Sequence, residues 1–220
     1  MTAYLRERMD VPLTWLPAMD FRDLDAAAQQ DAIAYADPAR ALGLAEQHGF
    51  VPVVAATDAD GVFLVTSRGA PVTPEAVEGA RVAVAAGTFA AALGLHTLYQ
   101  RGLRPHPVVF SSWQQAVRSV LSGDCAFALL YEATYRLLAL RTLRLLQVAA
   151  GPWNVATAHL WLVRGDEPLL GLRLTEVLLA MEADPEGRAL LTAIGVTGWR
   201  RATNELDAAK RVLAQANMPK

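Results

Sequence analysis

Short apolar runs alternate along this chain with stretches whose apolar residues recur every three or four positions. These are the patterns of strands and of amphipathic helices. Thr2–Met9 reads as a helix and Pro12–Pro17 as a short strand. Asp20 is placed to cap a helix running to about Gln30, because its carboxylate can accept the orphan amide hydrogens of a first turn. Ala32–Ala36 is the next strand, and Asp37-Pro38 opens a helix with proline at its first position. Phe50–Ala56 and Val62–Thr66 are apolar runs separated by Asp58-Ala59-Asp60-Gly61, which predicts a hairpin-type turn. Two prolines and a glycine make Gly69–Pro74 the best linker candidate.

A second series of units follows. Arg81–Ala86 is a strand, Gly87-Thr88 a turn and Phe89–Arg101 a helix. Pro107–Phe110 is a strand, and Ser111 or Ser112 caps a helix over Trp113–Leu121 that Gly123 ends. Cys125–Leu130 is a strand, Glu132–Leu140 a helix and Leu143–Ala149 a strand, before an irregular crossover at Gly151–Asn154. Ala158–Val163 leads back as a strand, followed by helices over Pro168–Met181, Glu186–Ile194 and Glu205–Ala216. Strands separated in this way by helices imply an α/β fold of two lobes, with parallel-rich sheets covered on both faces.

Composition narrows the class. The 220 residues are 53% apolar and 19% charged, which excludes a disordered chain. A net charge of −2 argues against a nucleic-acid partner, which calls for a basic surface. Cys125 is the single cysteine, so no internal disulfide forms, and its apolar strand marks it as structural. His48, His96 and His106 lack ligand spacing, so neither a metal nor a cofactor is expected. The uncharged windows Val82–Gln100 and Leu145–Val163 are too rich in Ala and Gly, or too broken, to span a membrane. Met1–Asp10 carries four charged residues and no apolar h-region, so it is not a secretory signal as written. No nucleophile elbow, Walker loop, dinucleotide fingerprint or His-Glu-x-x-His motif is present, and the chain reads as a non-enzyme.

Several longer segments carry a family resemblance. Thr73–Val84, Val109–Val117, Val120–Ala128 and Asp184–Leu191 are similar to ordered motifs of the phosphonate-type substrate-binding proteins of ABC importers, which have the type II periplasmic-binding-protein fold. Pro17–Phe21 and Ile33–Ala39 are similar to that family's first-lobe motifs. The resemblance implies a discontinuous first lobe of residues 1–70 plus 160–220 and a second lobe of 71–159. It also implies a small ligand captured in a central cleft by hinge closure. The partner would be an ABC permease, or a sensor partner if the chain is instead a ligand-sensing module. An enzyme on this fold is a third alternative. Location would be periplasmic if a signal peptide is absent from this version of the chain, and cytoplasmic otherwise.

Two departures matter. Members begin with a strand that lies centrally in the first-lobe sheet, whereas this chain opens on a helix. Unless a strand is missing upstream, another segment or chain must fill that place, or the lobe is remodelled. Members also carry a Ser-Thr-Ser-like cluster at a helix N-terminus, where hydroxyls and free amides cradle an oxyanion. The matching positions are Thr88, Phe89 and Ala90, with one hydroxyl of three, and the family's histidine is matched by Gln114 beside Trp113. The resemblance, the strand-end places of Tyr35 and Tyr131 and the crossover place of Trp153 together make candidate ligand contacts of Tyr35, Asp37, Thr88, Phe89, Ser111, Ser112, Trp113, Tyr131, Glu132, Trp153 and Asn154. Each has a plainer reading: Thr88, Ser111 and Ser112 as helix caps, Glu132 as a helix-start carboxylate, the aromatics as packing. Carboxylates and aromatics in this set fit an amine-bearing or weakly charged ligand better than a phosphonate dianion.

Overall fold

The computed structural model describes residues 1–14, 26–27, 31–59, 61–154 and 157–216. The chain divides into two units, Met1–Ala59 with Ala156–Ala209, and Asp60–Val155 with Lys210–Lys220. The first contains α1 (Thr2–Met9), β1 (Ile33–Ala36), α2 (Pro38–His48) and β2 (Phe50–Ala56). The second contains β3 (Gly61–Ser67), a 3-10 turn (Pro74–Val77), β4 (Arg81–Ala85), α3 (Phe89–Gln100), β5 (His106–Phe110), α4 (Trp113–Leu121), β6 (Phe127–Tyr131), α5 (Glu132–Arg136), α6 (Leu140–Leu143) and β7 (Leu146–Asn154). The chain then returns to the first unit with β8 (Leu160–Arg164), α7 (Pro168–Ala180), α8 (Pro185–Ile194) and β9 (Trp199–Arg201). The division falls within the last helix, α9 (Glu205–Ala216).

The first unit is built on a sheet of order β1-β8-β2-β9. Side chains of β8 alternate between its faces. Trp161 and Val163 pack with Tyr4, Leu5 and Met9 of α1 and Leu174 and Leu178 of α7. Leu160 and Leu162 pack with Ala41 and Leu44 of α2, and Leu206 of α9 lies against them. A strand buried on both faces has to be apolar throughout, which explains the run Leu160–Val163. Every neighbouring pair in this sheet is antiparallel, contrary to the parallel arrangement expected. The reason is β8, which arrives from the second unit and lies between β1 and β2, paired through Tyr35↔Trp161 on one side and Val51↔Val163 on the other. It is this segment of the chain itself that fills the middle of the sheet.

The second unit has a sheet of order β5-β4-β6-β3-β7. Here β4 runs parallel to β5 and β6, while β3 runs antiparallel to β6 and β7. Its core joins Val65, Ala83, Ala128 and Leu130 to Ala116, Val117 and Val120 of α4, with Cys125 buried among them. On the other face α3 crosses at Gly94, where a Cβ would stand 2.6 Å from both methyl carbons of Leu129, so any larger residue would force the Leu129 side chain to shift.

Several local expectations are corrected. β2 and β3 do not form a hairpin: β2 pairs with β8 and β9, β3 with β6 and β7, and their connection joins the two units. Gly69–Pro74 is therefore not an interlobe linker but a connection inside the second unit. The long helix expected over Glu132–Leu140 breaks into α5 and α6. The expected crossover at Gly151–Asn154 is the end of strand β7, held by β3 through Gly61↔Asn154. Pro12–Thr14 form no strand; the rest of that expected strand, and the Asp20–Gln30 helix apart from the helical Ala26 and Ala27, lie outside the described residues. β9 escaped notice because three residues show no period.

The interior place of β8 sets a test. Leu162→Ala should cost about 2–5 kcal/mol of stability in urea unfolding. Leu169→Ala, at a side chain 74% exposed, should change it by less than about 0.5 kcal/mol.

Candidate functional site

In the first unit the chemistry gathers where β1 passes into α2. Asp37 caps α2, its Oδ1 accepting from the amides of Ala39 at 2.9 Å and Arg40 at 3.0 Å. Its side chain is buried, and that burial pushes its pKa up against the opposing pull of His159, of the Arg40 guanidinium and of the two amide bonds. The carboxylate thus occupies the helix N-terminus that would otherwise attract an external anion.

The register Tyr35↔Trp161 puts two aromatic residues side by side. The Tyr35 ring lies 5.0 Å from Trp161, 5.5 Å from His159 and 5.9 Å, edge-on, from Trp199. The indole nitrogens of Trp161 and Trp199 are buried without a hydrogen-bond partner, so ring packing holds these two in place. Asp58 anchors the loop before Trp199, its Oδ2 accepting from the Thr197 amide at 2.9 Å and hydroxyl at 2.6 Å. Beside this cluster is a cavity of about 960 Å³, bordered by all of β1, by α1 and α7 on one face of the sheet and by Arg40 and Leu44 on the other. Tyr35, Trp161 and the acidic residues Asp31, Glu167 and Glu176 are among its lining.

In the second unit, parallel β4, β5 and β6 end along one edge of their sheet, and α3, α4 and α5 begin there. Open α/β sheets bind ligands at such an edge. Thr88 caps α3: its hydroxyl donates to the Ala85 carbonyl at 3.0 Å and accepts from the Ala91 amide at 3.3 Å. Ser112 caps α4 by accepting from the Gln115 amide at 3.3 Å, and the Ser111 hydroxyl donates to the Gln115 side-chain oxygen at 3.2 Å. Tyr131 ends β6 with its ring edge-on to Trp113 at 5.6 Å. Glu132 opens α5 and pairs with Arg136 one turn on.

Antiparallel β3 and β7 bring Gly61 and Asn154 to the same edge. A Cβ on Gly61 would lie 2.7 Å from the Asn154 side-chain oxygen and 2.8 Å from Glu132 Oε2. Glu132 and Asn154 therefore converge over Gly61, where a Cβ would have to displace their side chains and would crowd the Pro152 Cβ at 2.9 Å. Sequence reading placed Gly61 only in the turn before an apolar run and missed its place at this edge. Three assigned residues are buried rather than open at this edge: Phe89, the first residue of α3, and Tyr131 are fully buried, and Trp153 packs within its unit 5.3 Å beneath the Arg101 guanidinium. No cluster fit for a metal occurs among the described residues, and no described helix is long and apolar enough to cross a membrane.

A family model for periplasmic phosphonate substrate-binding proteins of ABC transporters matches residues 1–206. No curated protein matches the sequence. Among solved structures, a binding-protein component of an ABC phosphonate transporter from Pseudomonas aeruginosa superposes with a TM-score of 0.80 at 10% identity, covering 96% of this chain and 78% of that one. The Xanthomonas citri protein XAC2383 bound to ATP is similar at a TM-score of 0.71 and 17% identity, over 98% of this chain and 90% of its own. An ancestral arginine-binding protein bound to arginine is similar at 0.67 and 15% identity, over 86% and 83%.

Asp37 gives a pH-dependent signature. Its folded-state pKa lies above the ordinary aspartate value of about 3.9, so the folded state binds the proton more tightly than the unfolded one. Its contribution to stability therefore falls as pH rises from that value through the raised one. Asp37→Asn keeps a good cap and removes the charge. The variant should match the wild type in acid and exceed it at neutral pH, as read from urea unfolding across a pH series.

Proposed function

The chain belongs to the periplasmic phosphonate substrate-binding proteins of ABC transporters, and from that premise we propose that its own ligand is a small amine-bearing solute rather than a phosphonate dianion. One observation carries this reading. The single hydroxyl hydrogen of Thr88 is already donated to Ala85, so the remaining member of the oxyanion-cradling cluster has none to offer an anion. Phe89 and Ala90 bring no hydroxyl in its place.

The charges support the same polarity. Asp37 already occupies the start of α2, and Glu132 the start of α5. An ammonium group is stabilised by carboxylates and by ring faces such as those of Tyr35 and Trp113. In this reading the ligand contacts offered by the second unit are Ser111, Ser112, Trp113, Glu132 and Asn154; Tyr35 and Asp37 are the candidate contacts of the first unit taken by itself. Thr88 shapes the start of α3, and the buried Phe89, Tyr131 and Trp153 act by packing. Relatives of this fold bound to ATP and to arginine carry ligands of opposite charge, so polarity follows from side chains rather than from the fold. The protein would work on the periplasmic side, binding rather than transforming its solute and delivering it to an ABC permease.

A thermal-shift series over small primary amines, amino acids, inorganic phosphate and methylphosphonate tests the reading. A true ligand at 100 times its Kd adds about 2.7 kcal/mol to apparent stability. An amine should give a saturable rise, and Glu132→Gln should weaken its binding about ten-fold or more, as expected for a lost charge-assisted hydrogen bond. A saturable rise with methylphosphonate and none with amines would reject it.

A further inference from the structure

The turn that carries α5 into β7 presents a surface that ligand capture does not use. From Ala133 to Gly165 the sequence holds no acidic residue, while Arg136, Arg141 and Arg144 fall in one short stretch. Glu132 engages Arg136, whereas Arg141 and Arg144 are exposed and have no ion-pair partner among the described residues. Leucines divide between two directions. Leu146 is fully buried and Leu138 packs against the same core, which anchors the stretch on the second unit. Leu137, Leu140 and Leu145 turn outward, with 57%, 74% and 56% of their surfaces exposed. Val148 on the adjoining edge strand β7 extends the apolar side.

Bare leucines interleaved with unpaired guanidiniums match a partner that is apolar and negatively charged at once. A bilayer interface with anionic headgroups offers both in the required order, an acyl boundary beneath a layer of phosphate. Separately protruding leucines can enter a fluid layer without prior matching, while a protein partner would need a pocket for each. Arginine stems can lie along the apolar boundary with their guanidiniums at headgroup level. The overall charge of −2 does not oppose this, because screening limits each charge to about 8–10 Å in physiological salt.

We infer that the segment from the end of α5 through α6 to β7 is a membrane-contact surface that takes anionic phospholipid headgroups through Arg141 and Arg144, with Leu137, Leu140 and Leu145 entering the acyl boundary. This contact is independent of the solute bound.

Sedimentation of the full chain with vesicles of phosphatidylglycerol or of phosphatidylcholine tests it. The wild type should partition onto phosphatidylglycerol vesicles, prefer them to phosphatidylcholine and be released by salt. Loss of one arginine should lower partitioning about five-fold, so R141Q and R144Q together should lower it about 25-fold. Leu140→Ser with Leu145→Ser should reduce binding to the same vesicles. All four side chains are exposed, so an unchanged thermal midpoint verifies that the variants remain folded. Equal binding to both lipids, or variants that bind like the wild type, would overturn the inference. So would a concentration-dependent dimer lost in the leucine variant, which assigns the surface to a second copy. Binding to soluble polyglutamate without binding to vesicles would assign it to an acidic protein.

Discussion

Strand β8 has to satisfy its backbone on both edges and its side chains on both faces, and the first unit is arranged around that demand. An interior strand cannot leave amides or carbonyls unpaired without a cost comparable to a lost hydrogen bond for each. β1 and β2 supply partners along its length, while helices close over Trp161 and Val163 on one face and Leu160 and Leu162 on the other. The pairing Tyr35↔Trp161 then brings the aromatic cluster together, and the end of β1 one residue later sets Asp37 at the start of α2. The position of a polar side chain at the candidate site is thus inherited from a backbone requirement in the middle of a sheet.

Helix beginnings illustrate a second economy. Asp37, Thr88, Ser112 and Asp184 each accept from amides in the helix they precede. A helix N-terminus served by its own chain has less to offer an anion, and a carboxylate there repels one. Ligand polarity in a fold of this kind can therefore turn on a few hydroxyls and carboxylates, with the architecture unchanged. The exposed arginines and leucines beyond α5 belong to a different constraint, since Leu138 and Leu146 already anchor that stretch on the second unit without them.

The features legible in the sequence are those decided within a few residues. Asp37-Pro38, Thr88 and Ser112 were readable as caps because capping needs only a short side chain next to a helix, and all three cap in the structure. The bounds of α1 and α4 were readable from their apolar spacing. The family motifs added the fold class. By contrast, Asp58–Gly61 had the composition of a hairpin turn and joins strands of different sheets. Trp153 stood beside Gly and Pro and was read as part of a crossover, yet it lies in β7, packed beneath Arg101. Turn chemistry describes how the chain bends and carries no information about which distant strand each arm will pair with.

The sequence by itself determined where helices begin and which strands are wholly apolar, because each of these depends on side-chain type and local spacing. Only the tertiary structure decided that β8 lies antiparallel between β1 and β2, that Gly61 lets Glu132 and Asn154 converge, and that the Thr88 hydrogen is already committed. Those outcomes depend on contacts between segments far apart in the chain, or on the one direction a hydroxyl takes once its surroundings are in place. Backbone pairing and close packing select them from alternatives that local composition leaves equally open.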